Sequence, residues 1–167
     1  MSSSPVLYII AGCNGAGKTT ASLTFLPNLV DCREFVNADE IAKGLNPLNP
    51  EGMAVAAGRL MLERIDSLLA DRATFAIETT LATRSYHKLV KKAKEAGYEV
   101  TLVFIYLASV ELAVQRVRLR VESGGHNIPT DVIRRRYALG LNNLNNVYLP
   151  IATHWLLLDN SMGDSRI

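Results

Sequence analysis

Residues 12–19 read Gly-Cys-Asn-Gly-Ala-Gly-Lys-Thr and have the spacing Gly-x4-Gly-Lys-Thr. Glycines at these positions let backbone N–H groups approach phosphate oxygens, and the N-terminus of a following helix favours an anion. Lys18 would reach the β- and γ-phosphates of a nucleotide, and the Thr19 hydroxyl would hold Mg²⁺. The pattern therefore predicts a phosphate-binding loop (the P-loop). The residues expected to bind the nucleotide are Gly12, Asn14, Gly15, Ala16, Gly17, Lys18, Thr19 and Thr20.

Three carboxylates fall at the ends of predicted strands: Asp39 comes two residues after the second strand, Glu78 comes at the end of the third, and Asp159 ends the last. Ligands of an open parallel sheet bind beyond the carboxyl ends of its strands. A phosphoryl transferase needs one acid beside the acceptor hydroxyl and another that helps to hold Mg²⁺, and Asp39 and Glu78 are the candidates. Asp39 equally fits the N-cap of a helix. For Glu78 we favour the functional interpretation over its alternatives, a buried pair with arginine or a turn at Thr79 and Thr80, because a buried carboxylate needs a partner. Asp159 is better interpreted as part of a turn.

Arginines cluster on two predicted helices, with Arg116, Arg118 and Arg120 on the first and Arg134, Arg135 and Arg136 on the second. A Gly-rich loop joins the helices, so residues of about 116–136 look like the lid of a small-molecule kinase. Such a lid closes over ATP, excludes water and brings arginine to the transferring phosphoryl group. A solvated basic face is the alternative, and we favour it for Arg118 and Arg135.

Apolar strand-like runs alternate with helical patterns along the whole chain. The predicted strands are residues 6–11, 34–37, 74–77, 100–107 and 155–159. This alternation predicts an α/β fold, a three-layer sandwich of the P-loop kinase type with a mainly parallel sheet of about five strands and a helical lid. The helix after Lys18 is expected to end near Pro27. No linker divides the chain, so residues 1–167 are expected to form one domain.

Charge and composition exclude several classes of protein. The 167 residues carry a net charge of +2, which gives no reason to expect nucleic-acid or membrane binding. The first residues lack the pattern of a signal peptide, and we expect a cytoplasmic protein. The two cysteines, Cys13 and Cys32, fit neither a metal site nor a disulfide framework. Because Cys13 lies in the P-loop beside a helix N-terminus, we expect its thiolate to be favoured.

Several segments together resemble the zeta-toxin-like family of P-loop kinases. Besides the P-loop they are Val-Asn-Ala-Asp-Glu-Ile-Ala at residues 36–42, Phe-Ala-Ile-Glu-Thr-Thr at 75–80, Ser-Gly-Gly-His-Asn-Ile-Pro at 123–129 and Arg-Arg-Arg-Tyr at 134–137. They occur in the family's order and span almost the whole chain. The segments at residues 36–42 and 123–129 are considerably more specific to this family than the P-loop.

The resemblance implies ATP as phosphoryl donor, Mg²⁺ as cofactor and a small hydroxylated acceptor, which is UDP-N-acetylglucosamine for family members studied as toxins. Asp39 would be the base for the acceptor hydroxyl, Glu78 and Thr80 would bind substrate or metal, and Arg120 and Arg134 would clamp the phosphates. The toxins carry an arginine two residues after the position that matches Thr80. This chain has Ala82 there, and we expect Arg84 to replace that arginine.

A second interpretation belongs to a different class of protein. The chain would bind ATP as a switch or interaction protein with little turnover, held by a neutralising, antitoxin-like partner. A GTPase is a weaker alternative, because the chain has no Asn-Lys-x-Asp motif for reading guanine.

Overall fold

The computed structural model describes residues 4–162, which form one five-stranded sheet with helices on both faces. The strands are β1 Val6–Gly12, β2 Glu34–Val36, β3 Phe75–Thr79, β4 Glu99–Tyr106 and β5 His154–Asp159. All neighbouring pairs are parallel, and the order across the sheet is β2-β3-β1-β4-β5. Since β1 lies between β3 and β4, the P-loop begins at the centre of the sheet.

Six helices cover the sheet: α1 Lys18–Leu29, α2 Ala38–Leu45, α3 Ala54–Ala70, α4 Tyr86–Glu95, α5 Val110–Glu122 and α6 Thr130–Asn143. A 3-10 turn at Glu51–Met53 precedes α3, and a π-helical turn at Leu144–Tyr148 follows α6. Alternate residues of β1 enter two separate apolar clusters. Leu7 and Ile9 join the cluster with α3 and α4, and Ile10 joins the cluster with α1, α5 and α6. The expected three-layer α/β sandwich is confirmed.

Two element boundaries differ from the sequence-based expectation. Helix α1 continues through Pro27 to Leu29, because proline removes only one hydrogen bond in a turn that is already ending. Glu78 lies inside β3 and not after it, since Ile10 and Ala11 of β1 continue to pair as far as Glu78 and Thr79. In residues 4–162, no helix combines the length and the apolar character that a membrane span requires.

Candidate active site

The P-loop is formed by close backbone packing and by a glycine at the start of α1. Gly12 lies so near β4 that a Cβ there would stand 2.5 Å from the carbonyl oxygen of Ile105. Gly17, the N-cap of α1, has φ +89°, a left-handed conformation that other residues rarely adopt. The loop therefore turns tightly into the N-terminus of α1, a position that favours a bound anion.

Lys18 is the only lysine that the structure buries among residues 4–162, with 8% of its surface exposed. Its Nζ donates a hydrogen bond to the backbone oxygen of Cys13 at 3.0 Å, so the side chain curls back over the loop. Burial lowers the pKa of Lys18, and the nearby carboxylates of Glu78 and Asp39 oppose that shift. A buried ammonium with few partners is well placed to gain from a bound phosphate.

Glu78 faces the P-loop from the neighbouring strand β3. The Thr19 hydroxyl lies 2.9 Å and 3.1 Å from its two carboxylate oxygens, and the Asn37 amide donates to Oε2 at 3.0 Å. Burial raises the pKa of Glu78, while Lys18 and the Thr19 hydroxyl act in the opposite direction. The alternative of an arginine pair does not hold, because the contacts of Glu78 are a threonine, an asparagine and the field of Lys18.

This arrangement fits a magnesium ion. Thr19 and Glu78 offer hard oxygen donors side by side, and Mg²⁺ in phosphoryl transferases is held by one or two such groups together with nucleotide phosphates. Residues 4–162 contain no cluster of three or more metal-ligating acids, histidines or cysteines. Thr19 and Glu78 are the residues that would hold the ion, and the sequence-based assignment of Mg²⁺ to this pair stays a prediction.

Asp39 opens onto the same site but does not cap its helix. Asn37 is the N-cap of α2, and its Oδ1 accepts from the backbone N–H groups of Asp39 at 2.9 Å and Glu40 at 3.3 Å. The side chain of Asp39 is exposed, in the first turn. The capping alternative considered for Asp39 is therefore wrong, because the residue two positions earlier already satisfies the helix end.

A cavity of about 390 Å³ connects these groups. Its lining residues are Asn14, Lys18, Asn37, Ala38, Asp39, Glu78, Thr79, Thr80, Ala82, Thr83, Tyr86, Arg135, Arg136 and Leu139. Charged and amide side chains line the end beside the P-loop, and Ala82, Tyr86 and Leu139 give the rest a more apolar wall. Cavities of this size hold small-molecule ligands, and a few polar groups commonly fix their orientation.

Residues 79–83, here called the acceptor loop, form one wall of the cavity and are held by α6 and the π-helical turn. Leu81 is fully buried at φ +57°, a conformation that costs a residue with a side chain roughly 1–2 kcal/mol. Asn143 donates to the Leu81 oxygen and Tyr148 to the Thr83 oxygen, each at 2.7 Å. Gly140 permits the close approach, since a Cβ there would lie 2.6 Å from the Thr80 oxygen.

The arginines of α6 diverge around the helix. Arg135 and Arg136 line the cavity, and Arg136 donates to Oδ1 of Asn14 in the P-loop at 3.5 Å. Arg134 points elsewhere and pairs with Glu111 at 3.0 Å on the surface. Successive helical residues are separated by about 100° of rotation, so three consecutive arginines cannot all face the cavity. The structure therefore does not bring Arg134 to the site. Arg135 is exposed, in agreement with its solvated interpretation, and it also lines the cavity.

The remaining arginines of the predicted lid support the loops. Arg120 is exposed and donates to the His126 oxygen at 3.2 Å, although its charge still lowers the pKa of Lys18 slightly. The His126 ring meets the Glu51 carboxylate at 3.2 Å, which joins the loop after α5 to the turn before α3. Arg116 donates to the Asn160 oxygen at 2.6 Å. Of residues 116–136, only Arg135 and Arg136 line the cavity, whereas Arg116, Arg120 and Arg134 bond to other partners.

Arg84 does not occupy the substrate-binding position that the sequence analysis expected for it. Its Nε donates to Oδ1 of Asn143 at 3.4 Å, and its side chain is absent from the cavity lining, whereas Ala82 is present there. The acceptor loop turns at Leu81 and directs position 84 towards α6. Thr80 lines the cavity, and its role in substrate binding stays a prediction.

Cys13 is protected, contrary to the sequence-based expectation of a reactive thiolate. Its side chain is 5% exposed, and burial raises the pKa of the thiol more than Lys18 and Arg116 lower it. The loop after β5 covers the P-loop from outside, where the Asn160 amide donates to the Ala16 oxygen at 2.9 Å. Asp159 is exposed and bonds to Ser161, which agrees with its interpretation as a turn residue.

Sequence reasoning missed Asn37 and Arg136. Asn37 directly precedes a helix in an Asn-x-Asp-Glu segment, so N-cap preference was a usable signal. Arg136 lies next to Tyr137 and four residues before Gly140, on the side of α6 that packs against the protein. The spacing of Tyr137 and Gly140 along the helix was therefore the sequence signal that places Arg136 near the packed face of α6. No sequence signal pairs Asn37 with Glu78, because 41 residues separate them.

The P-loop, the parallel sheet of order β2-β3-β1-β4-β5 and the facing acidic residues define a protein of the P-loop kinase class. The family model described as Zeta toxin matches residues 1–152, and the chain belongs to this family. An uncharacterized protein of Haemophilus influenzae is 35% identical over 126 residues, which are 75% of this chain and 88% of that protein.

Two solved structures share the fold at low sequence identity. A chain of the PezAT chromosomal toxin–antitoxin system of Streptococcus pneumoniae is 21% identical with a TM-score of 0.70, and the match covers 95% of this chain and 69% of that one. A chain of the AvrRxo1-ORF1:AvrRxo1-ORF2 complex is 18% identical with a TM-score of 0.75, over 93% of this chain and 55% of that one. Family and fold together support a nucleotide-binding, kinase-like phosphotransferase.

Proposed function

We propose that this protein transfers the γ-phosphate of ATP to a hydroxyl group of a small acceptor, with a UDP-sugar as the first candidate. One observation carries the proposal. Lys18 with its buried ammonium, Glu78 and the exposed Asp39 all line one cavity of about 390 Å³, and the Thr19 hydroxyl is hydrogen-bonded to the Glu78 carboxylate. The donor end and a free acid for the acceptor therefore share the space in which a transfer would occur.

Each side chain has a task that suits its surroundings. Lys18 and the P-loop N–H groups bind the phosphates, and Mg²⁺ held by Thr19 and Glu78 would supply charge neutralisation when bound. Asp39 accepts the proton of the attacking hydroxyl, which suits a carboxylate that has no capping duty. Arg136, beside Asn14, stabilises the negative charge of the transferring group.

The walls of the cavity support an acceptor that carries both a ring and negative charge. Arg135 and Arg136 offer guanidinium groups, and Tyr86 and Leu139 offer apolar surface. A UDP-sugar such as UDP-N-acetylglucosamine has both features, and the zeta toxin family resemblance favours it.

The test is ATP consumption with direct detection of the phosphorylated product, screened across UDP-sugars, free sugars and nucleosides. Lys18→Ala serves as the blank. We expect one class of hydroxylated acceptor to raise ATP consumption well above the basal rate and to appear as a phosphate ester. ATP binding without a phosphorylated product from any acceptor class would contradict the proposal.

That contrary result would favour the second candidate, an ATP-binding switch held by an antitoxin-like protein. Its support is that the two structural relatives described above come from a toxin–antitoxin system and from a two-protein complex. A partner of this kind is compatible with a kinase as well, so measured turnover decides between the two candidates.

A further inference from the structure

Asn37 is a buried polar residue at the junction of β2 and α2, with 7% of its surface exposed. Its Oδ1 accepts from the N–H groups of Asp39 and Glu40, which caps α2. Its Nδ2 donates to Oε2 of Glu78 at 3.0 Å. One side chain therefore joins the helix that carries Asp39 to the carboxylate that faces the P-loop.

Helix capping alone does not require an asparagine at this position. Serine, threonine, aspartate and asparagine all cap helices well, because each has an oxygen that accepts from the first N–H groups. Only an amide offers a fixed acceptor and a fixed donor at the same time. The hydrogen-bond network also sets the amide orientation, since the flipped form would direct its NH₂ group at two N–H donors and its oxygen at a carboxylate.

The Glu78 carboxylate needs such a donor to stay in place. It is partly buried, and the negative charges of Asp39 and Glu40 lie nearby. Thr19 has one hydroxyl proton for the two carboxylate oxygens. The Asn37 amide donates a second hydrogen bond to Oε2, which helps to keep the carboxylate beside the Thr19 hydroxyl.

We propose that Asn37 is a positioning residue for Mg²⁺-dependent nucleotide binding, acting through its amide hydrogen bond to Glu78. This inference rests on the proposed function, in which Glu78 and Thr19 hold the ion. Groups that orient a metal-binding carboxylate through a hydrogen bond commonly change metal affinity by about 10- to 100-fold when they are removed.

The test compares Asn37→Ser with Asn37→Ala by measuring ATP affinity in EDTA and in saturating Mg²⁺. Serine keeps a capping oxygen and loses the amide donor, and alanine loses both. In EDTA, we expect both variants to bind ATP with an affinity within about twofold of the wild type. The factor by which Mg²⁺ increases ATP affinity should be roughly tenfold smaller in both variants than in the wild type. Only alanine should also lower the melting temperature, because only alanine removes the cap.

Asn46→Ser is the matched control. Asn46 lies at the other end of α2 and also accepts from two backbone N–H groups, those of Leu48 and Asn49, without touching the site. This variant should keep the full gain from Mg²⁺. In a Glu78→Gln background, Asn37→Ser should have almost no further effect, because the amide acts only through that carboxylate.

The outcomes separate the two ideas. If Mg²⁺ raises the ATP affinity of the wild type and of Asn37→Ser by the same factor, the inference is overturned and the proposed function still stands. A loss confined to Asn37→Ala also overturns it, since the cap would then be the cause. A wild type that does not bind ATP in Mg²⁺ overturns both. If Asn37→Ser fails to fold, Asn37→Thr makes the same change with a different capping residue.

Discussion

The P-loop and the acceptor loop follow the neighbouring strands β1 and β3 and line the same cavity, but they are stabilised in different ways. The P-loop is largely local, with glycines at its turns, the Ala16 N–H bonded to the Cys13 oxygen at 3.1 Å, and Lys18 bonded to that same oxygen. The acceptor loop is held by residues about sixty positions further along the chain.

The difference predicts two kinds of sensitivity. The conformation of the P-loop should depend mainly on its own short stretch of sequence, whereas that of the acceptor loop should depend on α6 and the π-helical turn. Because α6 also carries Arg136, movement of this helix would change the donor end and the acceptor wall together. Single substitutions can separate the contribution of the P-loop from that of the acceptor loop.

The largest effect is expected from Lys18→Ala. Removing the buried ammonium deletes charge at the phosphates, and we expect phosphoryl transfer to fall by about 10³-fold, with a parallel loss of ATP affinity. Lys91→Ala, which removes an exposed lysine of α4, is the control and should behave as wild type. Full ATP affinity in Lys18→Ala would show that the loop is not the donor site.

Arg136→Ala should have the next largest effect. A charge-assisted hydrogen bond contributes about 1.5–3 kcal/mol, so we expect kcat/KM to fall by about 10- to 100-fold. Arg134→Ala is the matched control on the next residue but one of the same helix, and its exposed pair with Glu111 should matter by less than about twofold. The reverse order in steady-state assays would restore the sequence-based choice of Arg134.

Asn143→Ala should separate the acceptor wall from the P-loop. It leaves the buried Leu81 oxygen without its donor, which costs about 1–3 kcal/mol of folding stability and releases the strained turn. We expect KM for the acceptor identified by the screen to rise about tenfold, with ATP affinity unchanged. Asn142→Ala, an exposed neighbour, controls for the helix. An equal loss of ATP and acceptor affinity would show that the two loops are not independent.

The smallest effect concerns Cys13. Since its thiol is buried and its pKa is raised, we expect alkylation to be roughly tenfold slower in the folded protein than in urea, with or without ATP. Mass spectrometry of the labelled peptide measures the rate, with Cys32, also buried, in the same sample. Rapid labelling that ATP prevents would contradict the protected position.

These differences also explain what could be predicted from the sequence. The P-loop, the five strands and the two helical layers follow from local patterns, namely glycine spacing, apolar runs and helical period. The partner of Glu78 could not be predicted, because the Asn37 contact forms only when β2 and β3 pair. The choice among Arg134, Arg135 and Arg136 depends on the rotation of α6 about its axis, which packing against the sheet decides.

The prediction that Arg84 replaces the arginine absent at position 82 was wrong for a related reason. A substitution two positions along the chain assumes that the backbone continues regularly, but Leu81 adopts φ +57° and reverses its direction. Long-range contacts with Asn143 and Tyr148 stabilise that turn, and local sequence does not reveal them.

The central claim is that Asp39 and the P-loop are two halves of one kinase site, and Asp39→Asn tests it most directly. ATP affinity in Mg²⁺ and phosphate transfer to the identified acceptor should be measured on the same preparation. Asn37 caps α2 without help from the Asp39 side chain, so we expect normal folding and ATP affinity, with transfer reduced by about 10²-fold or more. Near-normal transfer by Asp39→Asn would contradict the account.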